Sequence, residues 1–151
     1  MNAEAALSQH RILGIDYGSQ RIGLSLSDPL GLIARPIDAL KNDSKLFEHL
    51  KQLAGEAHVQ LIIVGMPLNL KGQRAYMAEE VQQFVDRLRS ELGTEVETLD
   101  ERFTSTIARR TMLEMGTKKK DRRKRDGRVD SMAAAVMLQG FLDSKKQSHS
   151  S

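Results

Sequence analysis

The chain contains no cysteine. Disulfides, thiol catalysis and Cys-ligated zinc are therefore excluded, and a reducing, cytoplasmic setting is expected. Aromatic residues make up only 4% of the chain, and tryptophan is absent. Extensive stacking on nucleic-acid bases is thus not expected, and contact through backbone and shape is the better fit. No run of 18 or more apolar residues occurs, so no transmembrane helix and no membrane role are expected. The N-terminus MNAEAALSQH lacks a basic patch ahead of a long apolar stretch and does not read as a secretory signal. His10, His49, His58 and His149 are scattered and offer no paired zinc ligands.

What is present suits one domain. The 151 residues, 40% of them hydrophobic, are enough for one sizeable core. The reading is a single domain over residues 1–151 with an ordered core of about 11–143. Net charge is only +3, but residues 118–128 read KKKDRRKRDGR and carry a net +6. The remainder is slightly acidic. A local basic stripe on an acidic body points to contact with a polyanion. As an isolated feature the same run is also compatible with a solvated linker.

Hydrophobic periodicity supplies the elements. RILGIDY (11–17) and IGLSLS (22–27) read as a β-hairpin turning at GSQR. LIARPID (32–38) reads as a third strand, with Pro36 marking an edge or an end. Asp43 or Ser44 can cap a helix over about 45–58. LIIV (61–64) is a short β-branched run suited to a central strand buried on both faces. An amphipathic helix over about 75–92 follows, carrying Met77, Val81, Phe84, Val85 and Leu88 on one face. EVETL (95–99) is a strand, and Thr104 or Ser105 can cap a helix to about Met115. The basic loop, about 116–128, precedes a largely apolar helix over about 130–143, and SKKQSHSS (144–151) reads as a frayed end. The order β-β-β-α-β-α-β-α-α predicts an α/β fold. Its mixed five-stranded sheet has three antiparallel strands first and helices on both faces.

Three acidic stations stand against this framework. Asp16 lies near the end of the first strand, flanked by Gly14 and Gly18. Asp100 and Glu101 follow the fifth strand, and Asp130 opens the last helix. Singly, Asp16 can be a turn residue, Asp100-Glu101 solvated charges, and Asp130 a helix N-cap. Together they mean more. In a mixed sheet the strand ends at 17 and 99 can be neighbours, and the last helix can bring its N-terminus beside them. Two or three carboxylates gathered there suit hard divalent cations, Mg²⁺ or Mn²⁺. Two such ions suit phosphodiester hydrolysis. Lys71 and Arg74 in GMPLNLKGQR, and Arg102 and Thr104, lie where they could meet phosphate. Lys118, Lys119, Arg122, Arg123 and Arg128 of the basic stretch are the candidates for gripping the backbone.

Four blocks in order carry a resemblance over roughly residues 11–143: GIDYGSQRIGLSLSD, LIIVGMPLNLKG, LDERFTS and VDSMAAAVMLQGFL. They resemble the YqgF (RuvX) family within the RNase H-like fold. The resemblance implies a metal-dependent nuclease that matures the 5′ end of pre-16S rRNA, with two Mg²⁺ or Mn²⁺ ions. It makes Asp16, Glu101 and Asp130 the acidic triad. Gln20 stands where the family often has Lys, Ser105 where a second Thr is common, and Arg128 where Lys often precedes the last Asp. No carboxylate is lost. A Holliday junction resolvase with the same chemistry is the alternative, and the chain is expected to be a monomer or a homodimer. A non-catalytic binding module is disfavoured, since it needs no carboxylates that repel phosphate. An actin-like ATPase would need a second lobe that 151 residues cannot supply.

Overall fold

A computed structural model describes residues 10–66, 75–100 and 131–149. Their elements are β1 (Arg11–Asp16), β2 (Arg21–Ser27), β3 (Ala34–Lys41), α1 (Leu46–Glu56), β4 (Val59–Met66), α2 (Ala75–Leu92), β5 (Glu95–Asp100) and α3 (Met132–His149). The strands form one sheet in the order β3-β2-β1-β4-β5. β1, β2 and β3 pair antiparallel, as their short connections allow. β4 pairs parallel with β1 and with β5. Parallel partners need crossovers, and α1 and α2 lie in the connections into β4 and β5. The expected mixed sheet with antiparallel first strands is thus observed. The helix expected near 104–115 lies outside the described residues.

Strand alternation splits the apolar side chains between two layers. Leu13, Ile15, Ile22, Leu24, Ile62, Val64 and Val96 pack with Leu46, Phe47 and Leu50 of α1 and with Val81, Phe84, Val85 and Leu88 of α2. Ile63 packs on the other face with Met137, Leu138, Phe141 and Leu142 of α3, joined by Ile12, Leu61 and Leu99. Ile62, Ile63 and Val64 are all buried, so β4 is covered on both faces as its sequence predicts.

One contact sets how closely α3 lies. A Cβ added at Gly14 would stand 2.4 Å from Ser25 Oγ, 3.0 Å from Leu138 Cβ and 3.3 Å from the Ala134 carbonyl oxygen. Only glycine lets the helix backbone approach the centre of the sheet there. Ser25 Oγ fills the gap and donates to Ala134 O at 2.8 Å.

Several element boundaries differ from expectation, for local physical reasons. β3 begins at Ala34 rather than Leu32 and runs on to Lys41. The Asp28 carboxylate takes the N–H groups of Leu32 and Ile33 at 2.7 and 2.9 Å, holding them in a loop. Burial pushes the Asp28 carboxyl up, but the backbone N–H groups of Ile33, Leu32 and Leu30 and its own outweigh this and hold it below its ordinary value. Gln139 of α3 fastens the same loop, accepting from Ala34 N–H and donating to Leu32 O. Leu30, Leu32 and Ile33 stay exposed. Pro36 sits inside β3 opposite Ser25, tolerated because β3 is an edge strand.

Helix ends shift too. Lys45 is the N-cap of α1 and makes no side-chain cap bond. Asp43, two residues earlier, accepts the Lys45 N–H at 3.0 Å. α3 continues past the expected end at 143 to His149. No Gly or Pro interrupts it there, Ser144 Oγ donates to Phe141 O, and Lys145 lies over the Phe141 ring.

His58, just past α1, has φ 56°, a left-handed conformation. Its carbonyl accepts the Arg11 N–H at 3.1 Å, so the backbone is held there. Left-handed backbone costs a side-chain-bearing residue about 1–2 kcal/mol, while glycine loses more entropy on folding. His58→Gly is expected to raise stability by about 0.5–1 kcal/mol in urea unfolding.

Candidate active site

The three strands β1, β4 and β5 run parallel and end at one edge of the sheet, at Asp16, Met66 and Asp100. Ile15 lies beside Val64, and Val64 beside Thr98, so Asp16 is one residue beyond a row shared by all three strands. The carboxyl ends of parallel strands are where open α/β sheets bind ligands. The strand ends at 17 and 99 are not direct neighbours, as the sequence alone allowed. β4 lies between them. The gap is two strand spacings, about 10 Å between backbones.

Asp16 is held by its two chain neighbours, which share the face opposite to its own. Ile15 is fully buried in the layer of α1 and α2. Tyr17 joins that layer, its ring 5.0 Å from Phe84, which in turn meets Phe47 at 5.6 Å. By alternation Asp16 falls on the face of Gly14, the α3 side. The turn after it is equally fixed. A Cβ at Gly18 would lie 2.4 Å from Arg21 O, so the turn closes only around glycine. Asn42, just past β3, donates its side-chain amide to Gly18 O and its backbone N–H to Gln20 O, both at 2.9 Å.

The start of α3 reaches the same edge. Ser131, immediately ahead of it, is fully buried and its Oγ accepts the Leu24 N–H at 2.9 Å. Leu24 pairs with Ile15, and the adjacent pair is Asp16 with Gly23. The β2–β3 register shifts between Ile22 and Leu24, where two residues of β3 oppose one of β2. Such a bulge breaks the ladder locally, and the Leu24 N–H goes to the serine instead.

Of the predicted site residues, Asp16 is placed at this edge. Glu101, Asp130, Lys71, Arg74, Arg102, Thr104, Lys118, Lys119, Arg122, Arg123 and Arg128 lie outside the described residues. The chain neighbours Asp100 and Ser131 do lie at the edge. Among the described residues no group of three or more His, Cys, Asp or Glu could hold a metal ion. No described helix is long and apolar enough to cross a membrane. Ser131 and Asn42 were not singled out by sequence reasoning. A small polar residue opening the apolar run SMAAAVML is the one signal that marked Ser131.

Comparison with known proteins identifies the family and the fold. The RuvX family model, described as Holliday junction resolvase, matches residues 10–144. A candidate pre-16S rRNA nuclease of Sulfurihydrogenibium sp. is 39% identical over 135 residues, covering 88% of this chain and 90% of that one. One from Acetivibrio thermocellus is 41% identical over 139 residues, covering 89% and 96%. Among solved structures, Thermus thermophilus RuvC aligns with a TM-score of 0.57 at 12% identity, covering 89% of this chain and 96% of that one. RuvC in complex with a Holliday junction substrate gives 0.56 at 14% identity, with the same coverage. The fold is therefore RNase H-like, of the RuvC type, and the chain belongs to the RuvX family.

Proposed function

We propose that this chain is a divalent-cation-dependent endonuclease that hydrolyses phosphodiester bonds in structured RNA, with the 5′ end of pre-16S rRNA as its substrate. The observation that carries the reading is the shared edge. Asp16, the end of β5 and the start of α3 meet there. The names of the family's relatives supply the substrate.

We assign Asp16, Glu101 and Asp130 as the metal-holding carboxylates. Leu99 packs on the α3 face and Val96 on the opposite one. Glu101 is preferred to Asp100 because the block LDERFTS carries it over by position. The donors are all carboxylate oxygens, a set that fits Mg²⁺ or Mn²⁺. Bound by these carboxylates, such cations would supply charge stabilisation for phosphodiester hydrolysis. The chain's own part is to fix its carboxylates on rigid strand and helix ends and to hold the substrate backbone. Lys71, Arg74, Arg102 and Thr104 are assigned to phosphates near the cut. Lys118, Lys119, Arg122, Arg123 and Arg128 are assigned to the flanking backbone. With an RNA precursor as substrate, the cytoplasm is the inferred place of action.

The direct test compares cleavage of a pre-16S 5′ leader with that of a four-way DNA junction, each with and without Mn²⁺. Mn²⁺-dependent cutting of the leader alone is the expected result. A resolvase reading is favoured by one observation, the description of the matching family model. Symmetric cutting of the junction by a stable two-fold dimer would make it the better one. Neutralising Lys118, Lys119, Arg122 and Arg123 is expected to weaken RNA binding broadly. If about four phosphate contacts to single-stranded RNA are lost, the log–log salt slope should fall by roughly 3. An unchanged slope returns the segment to a linker role.

A further inference from the structure

We propose that Ser131 is a positioning residue whose hydroxyl fixes the start of α3 against β2 beside Asp16, and through it the metal-holding edge. The inference rests on the carboxylate reading above and adds to it the part that fixes the geometry. Asp130 is the residue immediately before Ser131 in the sequence. Ser131 is tied to Leu24 N–H, one residue from the pair Asp16–Gly23. The hydroxyl thus links the residue after one station to the strand beside another, across 107 residues of sequence.

The seam around it shows that register is being held. The buried polar side chains among the described residues are Ser25, Ser27 and Ser131. Ser27 serves β1, accepting the Ile12 N–H at 2.9 Å. Ser25 and Ser131 both join β2 to α3. Ser25 donates to Ala134 O and Ser131 accepts from Leu24 N–H. Residues 131 and 134 are about one helical turn apart on one face. Apolar contact is non-directional, so Met137, Leu138 and Phe141 alone would let the helix slide or roll. Two directional bonds a turn apart restrain both motions. Of the two, Ser131 is the one at the active edge. Catalytic and metal geometries respond to displacements of about 1 Å.

The test is Mn²⁺ titration by calorimetry of the full chain without nucleic acid, with urea unfolding alongside. Ser131→Ala is expected to weaken Mn²⁺ binding about 10–100-fold, as is typical when a partner behind a metal ligand is lost. Ser25→Ala removes the comparable bond one turn away and is expected to lower stability similarly. Its Mn²⁺ affinity should change by less than about threefold, since it lies off the edge. Equal losses in both variants, or none in Ser131→Ala, overturn the inference. Ser131→Cys, nearly isosteric but a weaker acceptor, repeats the comparison if the alanine variant does not fold. Asp16→Asn in the same titration separates the two levels. Retained Mn²⁺ binding there sinks the carboxylate reading, and the inference with it. Binding lost there but kept in Ser131→Ala sinks the positioning role alone.

Discussion

Asp16→Asn is expected to lower Mn²⁺- or Mg²⁺-dependent cleavage by roughly 10²–10⁴-fold while leaving RNA affinity nearly unchanged. A metal ion is worth several kcal/mol of transition-state stabilisation, and each 1.36 kcal/mol is tenfold in rate. Asparagine keeps the size of aspartate and suits turns equally well. If Asp16 were only a turn residue ahead of Gly18, the change would be silent. If it holds metal, one anionic oxygen is lost where the three parallel strands end. Binding is carried by the proposed cationic grip elsewhere, so it should survive. The measurements are single-turnover cleavage of the 5′ leader and anisotropy of the same RNA. Cleavage retained within about threefold would falsify the assignment.

Gly14→Ala is expected to destabilise the fold by about 2–4 kcal/mol. Overpacking costs about 1–3 kcal/mol, and a broken buried hydrogen bond adds about 1. The new methyl would meet Ser25 Oγ at 2.4 Å, so the bond from Ser25 to Ala134 O must give or the helix must lift. Leu138 Cβ, at 3.0 Å, blocks the other way out. Gly55→Ala is the matched control. It lies inside α1 with open space around it and should stabilise by about 0.5–1 kcal/mol. The same chemical change is thus expected to have opposite signs at two sites, read as shifts in the urea midpoint. A silent Gly14→Ala would mean that α3 is not seated as closely as described.

Much of the fold was legible because its periods are clean. RILGID and RIGLSLS alternate, IIV in β4 is apolar without break, and α2 repeats Val81, Phe84, Val85 and Leu88 on one face. β3 was misplaced by two residues at its start because Leu32 and Ile33 look like strand residues. A single carboxylate, Asp28, claims their N–H groups instead. The length of α3 was underestimated because polar composition resembles a frayed tail, whereas no residue there actually stops a helix. Asp16 was legible as a charge at the end of a strand. The choice of Glu101 over Asp100 came from family resemblance, and Glu101 lies outside the described residues. Ser131 was illegible because its partner, Leu24, is distant in sequence and offers only a backbone N–H.

The bond between Ser131 and Leu24 also bears on when the protein becomes itself. A growing chain emerges from its N-terminus, so the β1–β2 hairpin is made first. Residues 131–142, which cover its second face, come more than a hundred residues later. At about 5–20 residues per second, that is a delay of roughly 5–20 s. Until then Gly14 and Ser25 have no α3 to pack on, and the strand edge at Asp16 lacks the start of that helix. The strand edge at Asp16 is thus among the last parts of the fold to be completed.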